Sequence, residues 1–140
     1  MNSRIFVNLP VKDLDRSMQF FTRLGFSFDP QFTSDKAACM VVSEGGIYVM
    51  LLVEAFFKTF TPKPVCDATQ STEVIVCLSR DSREAVDEMV RDALLAGATT
   101  PRPAMDQGFM YQHGFQDLDG HLWELVFMQP AVVTIGPEDV

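Results

Sequence analysis

One order of elements occurs twice along this chain: a strand, a helix that stops at glycine, then three more strands. In the first half Ile5–Val11 alternates, with Ile5, Val7, Leu9 and Val11 on one face and Phe6 and Asn8 on the other. Pro10 places that strand at a sheet edge or marks its end. Asp13 is set to cap a helix with Asp15 in its first turn, and Leu14, Met18, Phe21 and Leu24 recur at helical spacing before Gly25 stops it. Strand-like runs follow over 26–32, 37–43 and 47–53, the last two joined by a tight turn at Glu44, Gly45 and Gly46. The second half repeats the order. A strand over 72–78 leads to Asp81-Ser82-Arg83-Glu84, which has the form of a capping box with Asp81 as cap. Val86, Met89, Val90 and Ala93 then form the buried stripe of a helix ending near Ala96 and Gly97. Strands are predicted over 98–102, 109–116 and 121–128. The repeat lies in the pattern and hardly at all in the residues.

A βαβββ unit has a sheet with a helix on its back. Two of them side by side curl into a half-open barrel of mixed sheet with the helices outside, an α+β fold. Its concave inner face is a natural place for a small molecule. The expected organisation is a first module over 1–60, a linker over 61–71, a second module over 72–129 and a tail over 130–140, together one compact domain. The segment over 54–71 changes character: three phenylalanines (Phe56, Phe57, Phe60) precede a proline-rich loop, and a helical turn is expected at its start. Ordinary packing beneath a loop, a cover over a pocket and a subunit contact are all open to those rings.

Composition narrows the function. With 47% hydrophobic residues the chain can build a sizeable core, and its net charge of −8 argues against nucleic acid or an anionic membrane as partner. An acidic surface suits a cationic ligand, although it also serves solubility alone. No apolar run is long enough to span a bilayer, and 5–11 is too short for a signal sequence. Three cysteines without a C-x-x-C spacing fit reduced thiols and a cytoplasmic protein.

The chemistry concentrates in 115–127. Asp-Leu-Asp-Gly at 117–120 is turn chemistry, in which Asp side chains accept from nearby backbone N–H groups and Gly takes a positive φ. In the strand that follows, His121, Trp123, Leu125 and Phe127 point one way, and Leu122, Glu124, Val126 and Met128 the other. Glu124 is thus a lone carboxylate on an apolar face. It either meets solvent or lines a pocket where its charge has a use, as a base or a hydrogen-bond acceptor.

These signatures resemble the vicinal oxygen chelate superfamily, which includes glyoxalase I, extradiol dioxygenases and the bleomycin- and fosfomycin-resistance proteins. The resemblance is carried by Val11-Lys12-Asp13-Leu14-Asp15-Arg16-Ser17, Phe20-Phe21 and Leu24-Gly25-Phe26, and by the stretch from Phe115 to His121 with Trp123-Glu124. It spans 4–129. It implies a homodimer whose copies complete each other's cavities. It also implies divalent metal sites (Mg, Mn, Ni, Zn or Fe) at inward strand positions, which fall on Phe6, Leu51, Glu73 and Glu124 here, with one residue of latitude at Leu51 and Glu73. Only Glu73 and Glu124 offer oxygen donors, which suits a hard ion such as Mg or Mn with waters and does not suit a four-ligand zinc or nickel site.

Asn8 and Gln112 are further candidates to orient a ligand, Gln112 on the condition that Met110, Gln112 and Gly114 share the inner face. His113, His121 and Trp123 are expected on the packed face as structural residues, and packing is the default for Tyr111. Two functions follow. One is a glyoxalase/bleomycin resistance/dioxygenase-like protein that binds a small organic molecule at Glu124, Phe6, Asn8, Leu51, Glu73 and Gln112 without a full metal site. The other is a metal-dependent lyase or dioxygenase using Glu73 and Glu124, with Glu124 catalytic.

Overall fold

The computed structural model describes residues 3–130; the expected tail lies outside them from residue 131 onward. The first module runs β1 (Ile5–Val11), α1 (Leu14–Arg23), β2 (Ser27–Asp29), β3 (Ala37–Ser43) and β4 (Ile47–Val53). Its strands lie in the order β1-β4-β3-β2, with β1 parallel to β4 and the other pairs antiparallel. Pro10 sits on β1, an edge strand, where its missing N–H costs no ladder bond. Asp13 caps α1, its side chain accepting from the Arg16 N–H. β2 is shorter than its sequence pattern suggests. Pro30 fixes φ and opens a 3-10 turn over Pro30–Phe32, capped by the Asp29 side chain.

A short helix α2 (Glu54–Phe57) and a 3-10 turn (Lys58–Phe60) follow β4, and Phe56 packs edge-on to Phe60. The second module is β5 (Ile75–Ser79), α3 (Arg83–Leu95), β6 (Met105–Asp106), β7 (Met110–Gln116) and β8 (Leu122–Met128), in the order β5-β8-β7-β6. Three details depart from the sequence reading. β5 begins at Ile75, so Glu73 precedes it in the connecting segment. Ser82, and not Asp81, caps α3 by accepting from the Ala85 N–H. The strand expected over 98–102 reduces to a single bridge between Thr99 and Gln116, because Pro101 and Pro103 cannot donate to a ladder; the edge strand β6 forms after them.

Each sheet packs its back against its helix; the other face is open on the second sheet and partly covered on the first, where Cys39, Tyr48 and Leu52 are buried. Leu9, Val11, Ala38, Met40, Val49 and Leu51 make the packed face of the first sheet. Phe115, Trp123 and Leu125 make that of the second, against Val86, Met89, Val90 and Ala93 of α3. The two modules share one core. Phe21 of α1 meets Trp123 at 5.0 Å between ring centroids, and Phe20 meets Phe115 at 5.9 Å. Polar bonds join them as well: Asp119 accepts from the Lys12 N–H at 2.9 Å and from the Ser17 hydroxyl at 3.2 Å. The Nε2 of buried His121 lies 2.6 Å from the Pro10 carbonyl. A carbonyl only accepts, so Nε2 carries the proton and His121 is a tie between modules.

Candidate functional site

The open face of the second sheet is set by strand register. Glu124 of β8 lies beside Cys77 of β5 on one side and Gly114 of β7 on the other. Leu122, Val126 and Ile75 share that face, with Gln112 paired to Val126. The segment through Pro101, Arg102 and Pro103 walls one side, so that Glu124, Gln112, Gly114, Leu122, Ile75 and Met105 line a common hollow of about 90 Å³. Glu124 is half-buried at its base. A side chain at position 114 has no room: a Cβ there falls 2.4 Å from the Trp123 carbonyl oxygen. Gly114 therefore lets β7 approach β8 closely and leaves the ground beside Glu124 bare. Burial and the neighbouring Glu124 charge push the Cys77 thiol up, which keeps it protonated and a weak nucleophile.

The other candidates scatter. Phe6 is on the partly covered face of the first sheet, stacked on Tyr48 at 5.0 Å and 47% exposed. Leu51 is on the opposite, packed face and fully buried in the core, so the positions of β4 on the Phe6 face are Met50 and Leu52, of which Leu52 is itself buried. Asn8 and Glu73 line a separate cavity between the modules, together with Leu122. Tyr111 donates to Asp87 on α3 and stacks against the Arg83 guanidinium, a packing role. His113 bonds through Nε2 with the Thr100 hydroxyl and the Arg102 carbonyl, bracing the segment that walls the hollow. Met105, which lines the hollow, and Cys77, the strand neighbour of Glu124, are residues that side-chain alternation alone does not single out. Their place depends on which residue of one strand stands beside which of the next, and that register is not written in either strand by itself.

A family model for the N-terminal part of bleomycin resistance protein-like proteins matches residues 4–43. The whole fold is found in solved structures. A hypothetical protein of S. aureus, SA1046, superimposes with a TM-score of 0.75 at 27% identity, covering 91% of this chain and 95% of that one. The chain thus shares the fold of these proteins and, over residues 4–43, the sequence pattern of the bleomycin resistance protein-like family. TioX of Micromonospora sp. ML1 matches with a TM-score of 0.63 at 25% identity over 91% of this chain and 99% of that one. The fosfomycin resistance protein FosX of Listeria monocytogenes shares the fold, with a TM-score of 0.65 at 19% identity over 93% and 96% of the two chains. The search of curated proteins gives no match.

The divalent ion that the superfamily implies does not fit the donors of this chain. Glu73 and Glu124 line different cavities. Glu73 also precedes Cys77, the neighbour of Glu124, by four residues, about 13 Å on an extended chain. Phe6 offers a ring, and Leu51 points into the core. Among the described residues, no three His, Cys, Asp or Glu side chains come together as a metal site.

Proposed function

We propose that this protein binds a small organic molecule with a cationic group on the open face of its second module, holding it through Glu124 and not through a metal. The observation that carries this reading is the placement of a single half-buried carboxylate, Glu124, on an apolar floor kept bare by Gly114. An ammonium there gains a charge-assisted bond in partly desolvated surroundings, while apolar neighbours cover its body. Gln112, on the same face, supplies an amide that can both donate and accept, which suits orientation of a polar substituent. The acidic balance of the chain favours the same charge type.

The test is calorimetric titration with an aromatic primary ammonium, benzylammonium, and with its neutral isostere benzyl alcohol. Binding of the cation is expected, with a loss of about tenfold or more in Glu124→Gln, equal to about 1.4 kcal/mol. Equal affinity for cation and isostere, or for wild type and variant, would overturn the reading.

Pairing of two copies belongs to the same proposal. A hollow of about 90 Å³ is well short of the roughly 300 Å³ that encloses a drug-sized ligand, so a further wall is needed. The faces turned away from the helices carry Phe6, Ile75 and Met128 at 47%, 50% and 61% exposure. Among the described residues, β1 and β5 each end their sheet without a second neighbour. Unpaired edges beside exposed apolar side chains invite another chain, and a second copy brings matching surfaces. Sedimentation equilibrium is expected to give a dimer; a monomer throughout the accessible concentration range contradicts this part.

A further inference from the structure

A second cavity lies at the seam between the modules, away from Glu124. It encloses about 310 Å³ and is lined by β1 at Asn8 and Leu9, by Phe57, by the segment from Thr61 to Val74 and by the start of β8. Its roof is fixed in place. A Cβ at position 120 falls 2.7 Å from the Ala68 carbonyl and the Thr69 nitrogen, so the roof lies flush on Gly120, where only glycine leaves room. The roof is pinned from within by Asp67, whose Oδ1 accepts from the Thr69 N–H at 3.0 Å and from the Thr69 hydroxyl at 2.7 Å. A roof held in this way spares the cost of ordering on binding.

The lining has two charges of opposite sign. Lys63 and Glu73 both reach the cavity, Asn8 adds an amide, and Phe57, Val65 and Leu122 give it an apolar wall. A ligand with one charge leaves the other protein charge unanswered, whereas a zwitterion meets both. The volume is at the small end of ligand pockets. We infer that the seam cavity is a second binding site, for a zwitterion of amino-acid size with an apolar side chain. Its ammonium pairs with Glu73, its carboxylate with Lys63, and its side chain lies on the Phe57 and Leu122 wall. The site shares neither Glu124 nor Gln112 with the first, although Leu122 borders both, so the charged contacts of each are tested separately.

The experiment is a titration followed by amide NMR with three probes: L-phenylalanine, phenethylamine and 3-phenylpropionate. L-phenylalanine is expected to move the signals of Asn8, Ala68 and Gly120 and to leave Gly114 in place, with both singly charged analogues at least about tenfold weaker. Glu73→Gln and Lys63→Gln, each verified as folded by its spectrum, are expected to bring L-phenylalanine down to the level of the analogues. Absence of shifts at saturating L-phenylalanine, shifts centred on Gly114, or equal binding of a singly charged analogue would overturn the inference.

Discussion

Asp117→Ala is expected to lower the free energy of unfolding by about 4 kcal/mol, one of the largest losses available from a single polar side chain in this fold. Asp117 is 7% exposed and accepts from three donors. Its Oδ2 takes the Trp123 indole N–H at 2.9 Å, and its Oδ1 takes the backbone N–H groups of Asp119 at 2.9 Å and His121 at 3.0 Å. Alanine leaves these donors unanswered, and each buried one costs about 1–3 kcal/mol. The loss also reaches the first module. Asp119 and His121, held in place by Asp117, bond to Lys12, Ser17 and Pro10. Trp123, held by the same carboxylate, packs on Phe21. Urea denaturation followed by Trp123 fluorescence measures the loss; a change below about 1 kcal/mol means that the hub is not energetically central.

The pH profile gives a second handle on the same residue. Burial raises the Asp117 carboxyl above its ordinary range, and the pulls of His121, the indole and the two backbone N–H groups reduce that rise without cancelling it. The folded chain therefore keeps this proton to higher pH than the unfolded chain, whose carboxyl titrates near pH 4. Stability from this group is complete below that value and is lost as pH rises through the raised folded value. Asp117→Ala removes that slope, so the gap between the two proteins is expected to narrow as pH climbs from about 4 toward neutrality.

Local patterns made most of this fold legible. Helical spacing located α1 and α3, period-two alternation identified β1 and β8 and the packed role of Trp123 and His121, and strand-like runs located β3, β4 and β7. Glu124 was legible for the same reason, since alternation alone sets it opposite Trp123. Leu51 was not. A strand buried on both sides, such as β4 with Tyr48, Val49, Leu51 and Leu52 all buried, has no polar face to mark which side is open. Glu73 misled because the run over 72–78 has strand-like residues throughout, while pairing with β8 begins only at Ile75. β6 was misplaced because Pro101 lies where the pattern predicted pairing and Pro103 follows just after it. The seam cavity was invisible for a different reason: its roof has no periodic signal and is positioned by contact with Gly120, far away in sequence.

Gly114→Ala is expected to close the Glu124 face and to cost about 2–4 kcal/mol of stability. The added Cβ meets the Trp123 carbonyl oxygen at 2.4 Å and the Glu124 Cα at 3.4 Å. Both are backbone, so no side chain can rotate aside, and β7 must move away from β8. That movement strains the ladder in which Gly114 pairs with Glu124 and Phe115 with Trp123, and it shifts the carboxylate that the ammonium needs. A displacement near an ångström is enough to spoil a charge-assisted bond, so binding of benzylammonium is expected to fall at least as far as in Glu124→Gln, although the carboxylate is still present. Thermal denaturation and calorimetry on the same sample separate the two effects. If Gly114→Ala proves as stable as wild type and binds the cation equally well, the close approach of β7 to β8 does not shape the site. A stable variant that fails to bind, while Glu124→Gln also fails, identifies Gly114 as the residue that positions Glu124.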